Sequence, residues 1–100
     1  MSKKQAKLGD KGIGICTSHS SPISMTGYLI TGSTTANVNG KPAARVGDIV
    51  LGDCGHEGVM IEGSKSVFID GKKACGIGDA FAGCFTGTLV GGSYNTNIGG

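Results

Sequence analysis

The sequence predicts an all-β fold: a small, closed, pseudo-threefold object of short strands and hairpins, with almost no helix and with its N- and C-termini adjacent. Three observations predict it. Gly supplies 20 of the 100 residues, while aromatics are 5% and charged residues 16%, a composition suited to many tight turns between short strands. The glycines keep no three-residue period and Pro is only 2, which excludes a collagen helix and a Pro-rich tract. A Gly-Asp segment occurs three times, as "QAKLGD" ending at Asp10, "PAARVGD" at Asp48 and "KACGIGD" at Asp79. A Gly-Ser segment begins at Gly32, Gly63 and Gly92, at intervals of about thirty residues that mark one supersecondary unit used repeatedly.

Taken in order, the first Gly-Asp segment has no strand before it. The arm "GYLITGS" from Gly27 then leads into "GSTTANVNGK", where Ala36 and Val38 fall on one face of a strand and Asn37 on the other. Asn39-Gly40 is a hairpin signal, because both central residues of the favoured two-residue turn need positive φ. The chain therefore folds back into "GKPAARVGD". The second unit repeats the pattern: "GVMIEGS" from Gly58, then Val67 and Ile69 opposite Phe68, a turn at Asp70-Gly71, and "GKKACGIGD". The third has "GTLVGGS" from Gly87, then Thr96 and Ile98 opposite Asn97, and stops at "IGG". The orphan strand at the C-terminus and the orphan Gly-Asp segment at the N-terminus belong together, so the termini are expected to meet and complete a third hairpin. One domain spanning residues 1–100 is expected, small enough that a core alone holds it near the limit of stability.

The variable stretch of each unit lies between the Asp and the next arm. It is longest in the first unit, Asp10 to Gly27, and shorter from Asp48 to Gly58 and from Asp79 to Gly87. These stretches carry Cys16 and His19, Cys54 and His56, and Cys84. In a threefold arrangement equivalent loops converge, which brings soft ligands from three distant parts of the chain to one point. A mixed Cys and His shell fits one zinc ion, with iron as the alternative. His19, His56 and Cys84 contribute one ligand from each unit, and the fourth is Cys16 or Cys54. Cys75 stands where Ala6 and Ala44 stand in the other units, so it reads as core packing.

Other chemistries find less support. "CGHEG" contains a thiol and an imidazole, and Glu57 beside a metal-bound water would suit a zinc-dependent hydrolase. Hydrolysis needs a concave pocket and an open coordination position, and a closed cone of tight turns offers neither. The Gly-rich stretches near Cys16 and Asp79 precede no helix, so they are not phosphate loops. A net charge of +2 with Lys3, Lys4, Lys7 and Lys11 near the start gives a nucleic-acid-binding module little to stand on without a basic stripe or aromatic platforms. No apolar run has the length of a membrane span, and the start lacks the apolar stretch of a secretory signal. A soluble chain made in the cytoplasm is expected.

"GKPAARVGD" with its two echoes, and the Gly-Ser strands beside them, resemble the PAAR-repeat family, named for the Pro-Ala-Ala-Arg found here at Pro42 to Arg45. The likeness covers nearly the whole chain. It implies a sharp cone that caps a trimeric β-helical spike, one monomer per trimer, in phage tails and type VI secretion machines, with a metal near its apex. It implies a structural, membrane-piercing role without catalysis or small-molecule substrate, and assembly at the tip of a tail spike. The base that meets the spike would be built from Ala36, Val38, Val67, Phe68, Ile69 and Ile98, with the metal loops at the point.

Overall fold

A computed structural model describes residues 3–17, 20–38, 40–91 and 97–98, with Lys3, Asn97 and Ile98 described by their backbone. Its strands are β1 (Lys3–Lys4), β2 (Lys11–Cys16), β3 (Ile23–Leu29), β4 (Asn37–Val38), β5 (Lys41–Pro42), β6 (Ile49–Gly52), β7 (Glu57–Met60), β8 (Phe68–Ile69), β9 (Lys72–Lys73), β10 (Ala80–Gly83), β11 (Phe85–Leu89) and β12 (Asn97–Ile98). No helix occurs among the described residues. The six longer strands close into an antiparallel barrel in the order β10-β11-β2-β3-β6-β7, and the short ones form the pairs β4-β5, β8-β9 and β1-β12. Lys3 lies opposite Ile98 and Lys4 opposite Asn97: the termini meet and make the third hairpin, as the orphan halves of the repeat predict. The molecule is elongated, 39 × 25 × 24 Å.

Barrel strands that cross this closely need glycine where backbones touch. Gly14 and Gly87 pair across β2 and β11, and a Cβ on Gly87 would stand 1.9 Å from the Ile13 carbonyl oxygen. The barrel interior is filled by Leu29, Val50, Met60, Phe81, Phe85 and Leu89, all buried. Phe81 and Phe85 stack at 4.8 Å between centroids, tilted by 49°. Gly12 makes room for them, since a Cβ there would lie 2.8 Å from the Phe81 ring.

The Gly-Asp repeat is a turn that staples itself. Gly9, Gly47 and Gly78 have φ of 89°, 97° and 94°, a region open to glycine at little steric cost. Each following Asp turns its carboxylate back onto the backbone N–H three residues earlier: Lys7 N–H to Asp10 Oδ2 at 2.9 Å, Arg45 N–H to Asp48 Oδ2 at 2.7 Å, and Gly76 N–H to Asp79 Oδ2 at 2.7 Å. The Gly-Ser repeat has a parallel logic. Ser33 Oγ accepts the N–H groups of Thr35 and Ala36, and Ser64 Oγ those of Ser66 and Val67. These side chains satisfy backbone donors that would otherwise seek a ladder partner, so the regular hairpin pairing covers two residues per strand although the alternation in sequence runs longer. Val38 is buried while Asn37 is exposed, and Phe68 is 56% exposed. Thr96, Gly99 and Gly100, assigned to the third hairpin, lie outside the described residues.

On the barrel axis, the small residues ahead of each Gly-Asp turn form a closed ring of backbone hydrogen bonds. Ala6 N–H donates to the Cys75 carbonyl, Cys75 N–H to that of Ala44, and Ala44 N–H to that of Ala6, each at 3.0 Å. All three residues are fully buried. Cys75 thus shares one buried core position with Ala6 and Ala44.

Candidate metal centre

The connections β2-β3, β6-β7 and β10-β11 lie at the barrel end away from this ring, because each follows a strand that leaves a Gly-Asp turn. The β6-β7 turn is firmly built. Gly55, at φ 90°, donates its N–H to the Gly52 carbonyl at 2.9 Å, and Gly52 N–H donates to the His56 carbonyl at 2.8 Å. Asp53 is tied to β3 twice, through its own N–H to the Thr26 carbonyl and through Thr26 Oγ1 donating to Asp53 Oδ2 at 2.7 Å.

This turn sets Cys54 and His56 against Cys16, the last residue of β2. The separations are 3.3 Å from Cys16 Sγ to His56 Nδ1, 3.2 Å from Cys54 Sγ to His56 Nδ1, and 3.3 Å between the sulfurs. Three ligand atoms thus form a compact triangle able to hold a metal ion. The fit is chemical as well as geometric: two thiols and an imidazole are soft and borderline donors. Zn–S bonds of about 2.3 Å in a tetrahedron set two sulfurs about 3.8 Å apart, so an ion needs to spread the triangle by only about half an ångström. Phe85, fully buried, lies opposite Cys16 in the β11-β2 ladder, giving the group an apolar floor.

Of the remaining candidate ligands, Cys84 is exposed and forms the one-residue link between β10 and β11. Its carbonyl accepts the Thr17 N–H at 2.9 Å, and its thiol is not in the triangle. His19 lies outside the described residues. Cys75 is buried on the axis at the other end, its thiol donating to the Glu62 carbonyl at 3.0 Å.

One structural residue escaped the reading of the sequence. Gln5 is 2% exposed, and its Nε2 lies 2.7, 3.2 and 2.9 Å from the carbonyl oxygens of Ala6, Ala44 and Cys75. One amide caps all three carbonyls of the axial ring. The available signal was positional: Gln5 stands where Ala43 and Ala74 stand, and one long polar side chain among two alanines has room only at a shared point.

A second asymmetry ties two hairpins together. Asp70, at φ 54°, accepts from Ser33 Oγ at 2.6 Å, from Thr35 Oγ1, and from Arg45 Nη1 at 2.9 Å. Arg45 also holds Asp48 at 3.2 Å. The hydroxyls of Ser33 and Thr35, then the Arg45 charge, hold the Asp70 carboxyl below its ordinary value. Asp48 raises the Arg45 guanidinium further above its own.

Fold and site together define a pseudo-threefold β-domain with a backbone ring closing one end and a metal-competent cluster at the other. A family model described as the PAAR motif matches residues 13–84, and the chain belongs to the PAAR-motif family. No curated protein matches the chain.

Proposed function

We propose that this protein is the metal-stiffened tip of a contractile injection machine, capping the blunt end of a trimeric β-helical spike with one monomer per trimer. The observation that carries the reading is the axial ring of Ala6, Ala44 and Cys75, in which one chain reproduces threefold symmetry down to its backbone hydrogen bonds. A trimer's end offers three equivalent strand edges and an open core, and a symmetric object buries all three at once. Family membership supports the same role.

The base is assigned to the hairpins β4-β5, β8-β9 and β12-β1, with Ala36, Val38, Val67, Phe68, Ile69 and Ile98 toward the spike. The point is assigned to the connections that carry the metal triangle. Cys16, Cys54 and His56 would hold one zinc ion, with His19 or Cys84 as candidates for the fourth ligand. The ion would cross-link strands and turns distant in sequence, stiffening a domain too small to be rigid through its core alone. The role is mechanical, membrane-piercing and without catalysis. A groove on the barrel wall is lined by Ile13, Ile15, Met25 and Thr88, and none of the three clustered ligands lines it. The protein would act at the tip of a phage tail or equivalent machine.

The test is native mass spectrometry of the protein mixed with a trimeric β-helical spike. One chain bound per trimer is expected. Absence of a complex, or three chains per trimer, would overturn the proposal.

A further inference from the structure

The three hairpins carry a second threefold feature, in charge. Lys3, Lys41 and Lys72 hold one register position: Lys3 faces Ile98, Lys41 faces Val38 and Lys72 faces Ile69. The side chains follow the symmetry where they are described. A Cβ on Gly9 would lie 3.8 Å from Lys41 Nζ, and one on Gly47 would lie 3.9 Å from Lys72 Nζ. Each ammonium thus lies over the Gly-Asp turn of the preceding unit. The carboxylates of those turns are buried and already engaged, Asp10 by Lys7 at 2.6 Å and Asp48 by Arg45 at 3.2 Å. Among the described residues, no ion pair involves Lys41 or Lys72.

Charge is segregated between the two ends of the barrel. In sequence, the stretches that join β2 to β3, β6 to β7 and β10 to β11, residues 17–22, 53–56 and 84, contain no Lys or Arg. The lysines of β1, β5 and β9, with Lys65 just before β8, lie at the hairpin end. Lys41 and Lys72 are exposed on a base whose acids are already engaged: Asp10 and Asp48 are buried, and the exposed Asp70 is held by Arg45 at 2.9 Å.

We infer that Lys3, Lys41 and Lys72 form a cationic collar that reads one carboxylate from each chain of a trimeric protein partner. The inference rests on the capping reading and adds the chemistry of recognition. Threefold repetition of one cation selects a partner that presents its anions with the same symmetry, which a protein trimer does and a membrane surface or nucleic acid does not. Rim charges of this kind set orientation and association rate more than final affinity. They would also fix the rotational register in which the apolar hairpin faces meet the trimer.

The experiment uses the full chain, the trimeric β-helical spike and three variants: Lys41→Glu with Lys72→Glu, the same pair changed to Gln, and Val67→Asp. Thermal melts identify folded variants, and both exposed lysine pairs are expected to melt as the unmodified protein does. Association with the spike should fall about tenfold in rate or more for the Glu pair and less for the Gln pair. The unmodified rate should fall with added salt. Carbodiimide coupling, which joins an amine directly to a carboxylate, should link Lys41 and Lys72 to Asp or Glu of the spike. Salt-insensitive association together with an unimpaired Glu pair overturns the collar while leaving capping intact. No binding by the unmodified protein overturns capping and the collar together. If the Glu pair keeps spike binding but loses binding to vesicles of equal phosphatidylcholine and phosphatidylglycerol, or to a short DNA duplex, the lysines serve an anionic surface and the inference is wrong.

Discussion

The two ends of the barrel treat the threefold repeat in opposite ways. At the hairpin end each unit contributes the same thing: one small residue to the axial ring, one self-stapled Gly-Asp turn, one lysine at the same register position. At the apical end the units diverge. The first gives Cys16, the second gives Cys54 and His56, and the third gives the buried rings of Phe81 and Phe85. Symmetry is kept where a symmetric partner would have to be matched. It is abandoned where one Cys16–Cys54–His56 triangle, able to hold a metal ion, and one aromatic pair, Phe81 with Phe85, take the place of three equivalent contributions.

That contrast is open to direct attack, beginning with the largest effect. Phe85→Ala should destabilise by about 3–5 kcal/mol, the cost of an emptied aromatic site, and should loosen the triangle through Cys16, its partner across the β11-β2 ladder. Titration of the variant with zinc, followed by melting, checks both. At the other end, Gln5→Ala removes the one donor shared by three buried carbonyls and should cost about 1–3 kcal/mol. Gln5→Glu keeps the shape but sets a carboxylate against those carbonyls, so at neutral pH it should be worse than Ala. It should recover as the pH falls and the new acid takes up a proton.

Metal removal separates the ends. A strong chelator should lower the melting temperature of the unmodified protein and have little effect on the Cys16→Ala variant, since the free energy of metal binding adds to that of folding. His56→Ala should likewise cost more than Cys75→Ala, whose residue fills an alanine site at the far end.

The smallest effect concerns Asp70. Its folded-state carboxyl is held below the ordinary value of 3.8 by the Ser33 and Thr35 hydroxyls and by Arg45. The stability it contributes is therefore present above that value and is lost as the pH falls through the lower, folded one. Asp70→Asn should melt below the unmodified protein at neutral pH, with the difference shrinking in strong acid. A difference that grows toward low pH would contradict this assignment.

Much of the base was legible in the sequence because its physics is local. Gly at positive φ, an Asp or Ser closing its own turn, and alternation over a few residues leave marks within one repeat, and the orphan halves force the termini together. That the fold is closed is legible in the repeat; that six longer strands close it as a barrel is not, because this depends on backbone approaches such as Gly14 against Gly87. The metal triangle was half visible. Cys16 and Cys54 follow their Gly-Asp turns at the same distance, and at that distance in the third unit stands Phe85. Counting from the turns thus pairs the two thiols and gives the third place to an aromatic ring, whereas a count of soft ligands per loop selects Cys84. Gln5 shows in the repeat only as the exception to Ala43 and Ala74, and its role lies in that departure.

The assignment of one end to docking and the other to the point is tested most directly by hydrogen exchange of the zinc-loaded protein, alone and bound to a trimeric β-helical spike. Binding should protect backbone amides in the hairpins β4-β5 and β8-β9 and leave the β6-β7 turn around Cys54 and His56 exchanging as before. Protection of that turn, with the hairpins unchanged, would mean that the metal end is the docking end and would contradict the account.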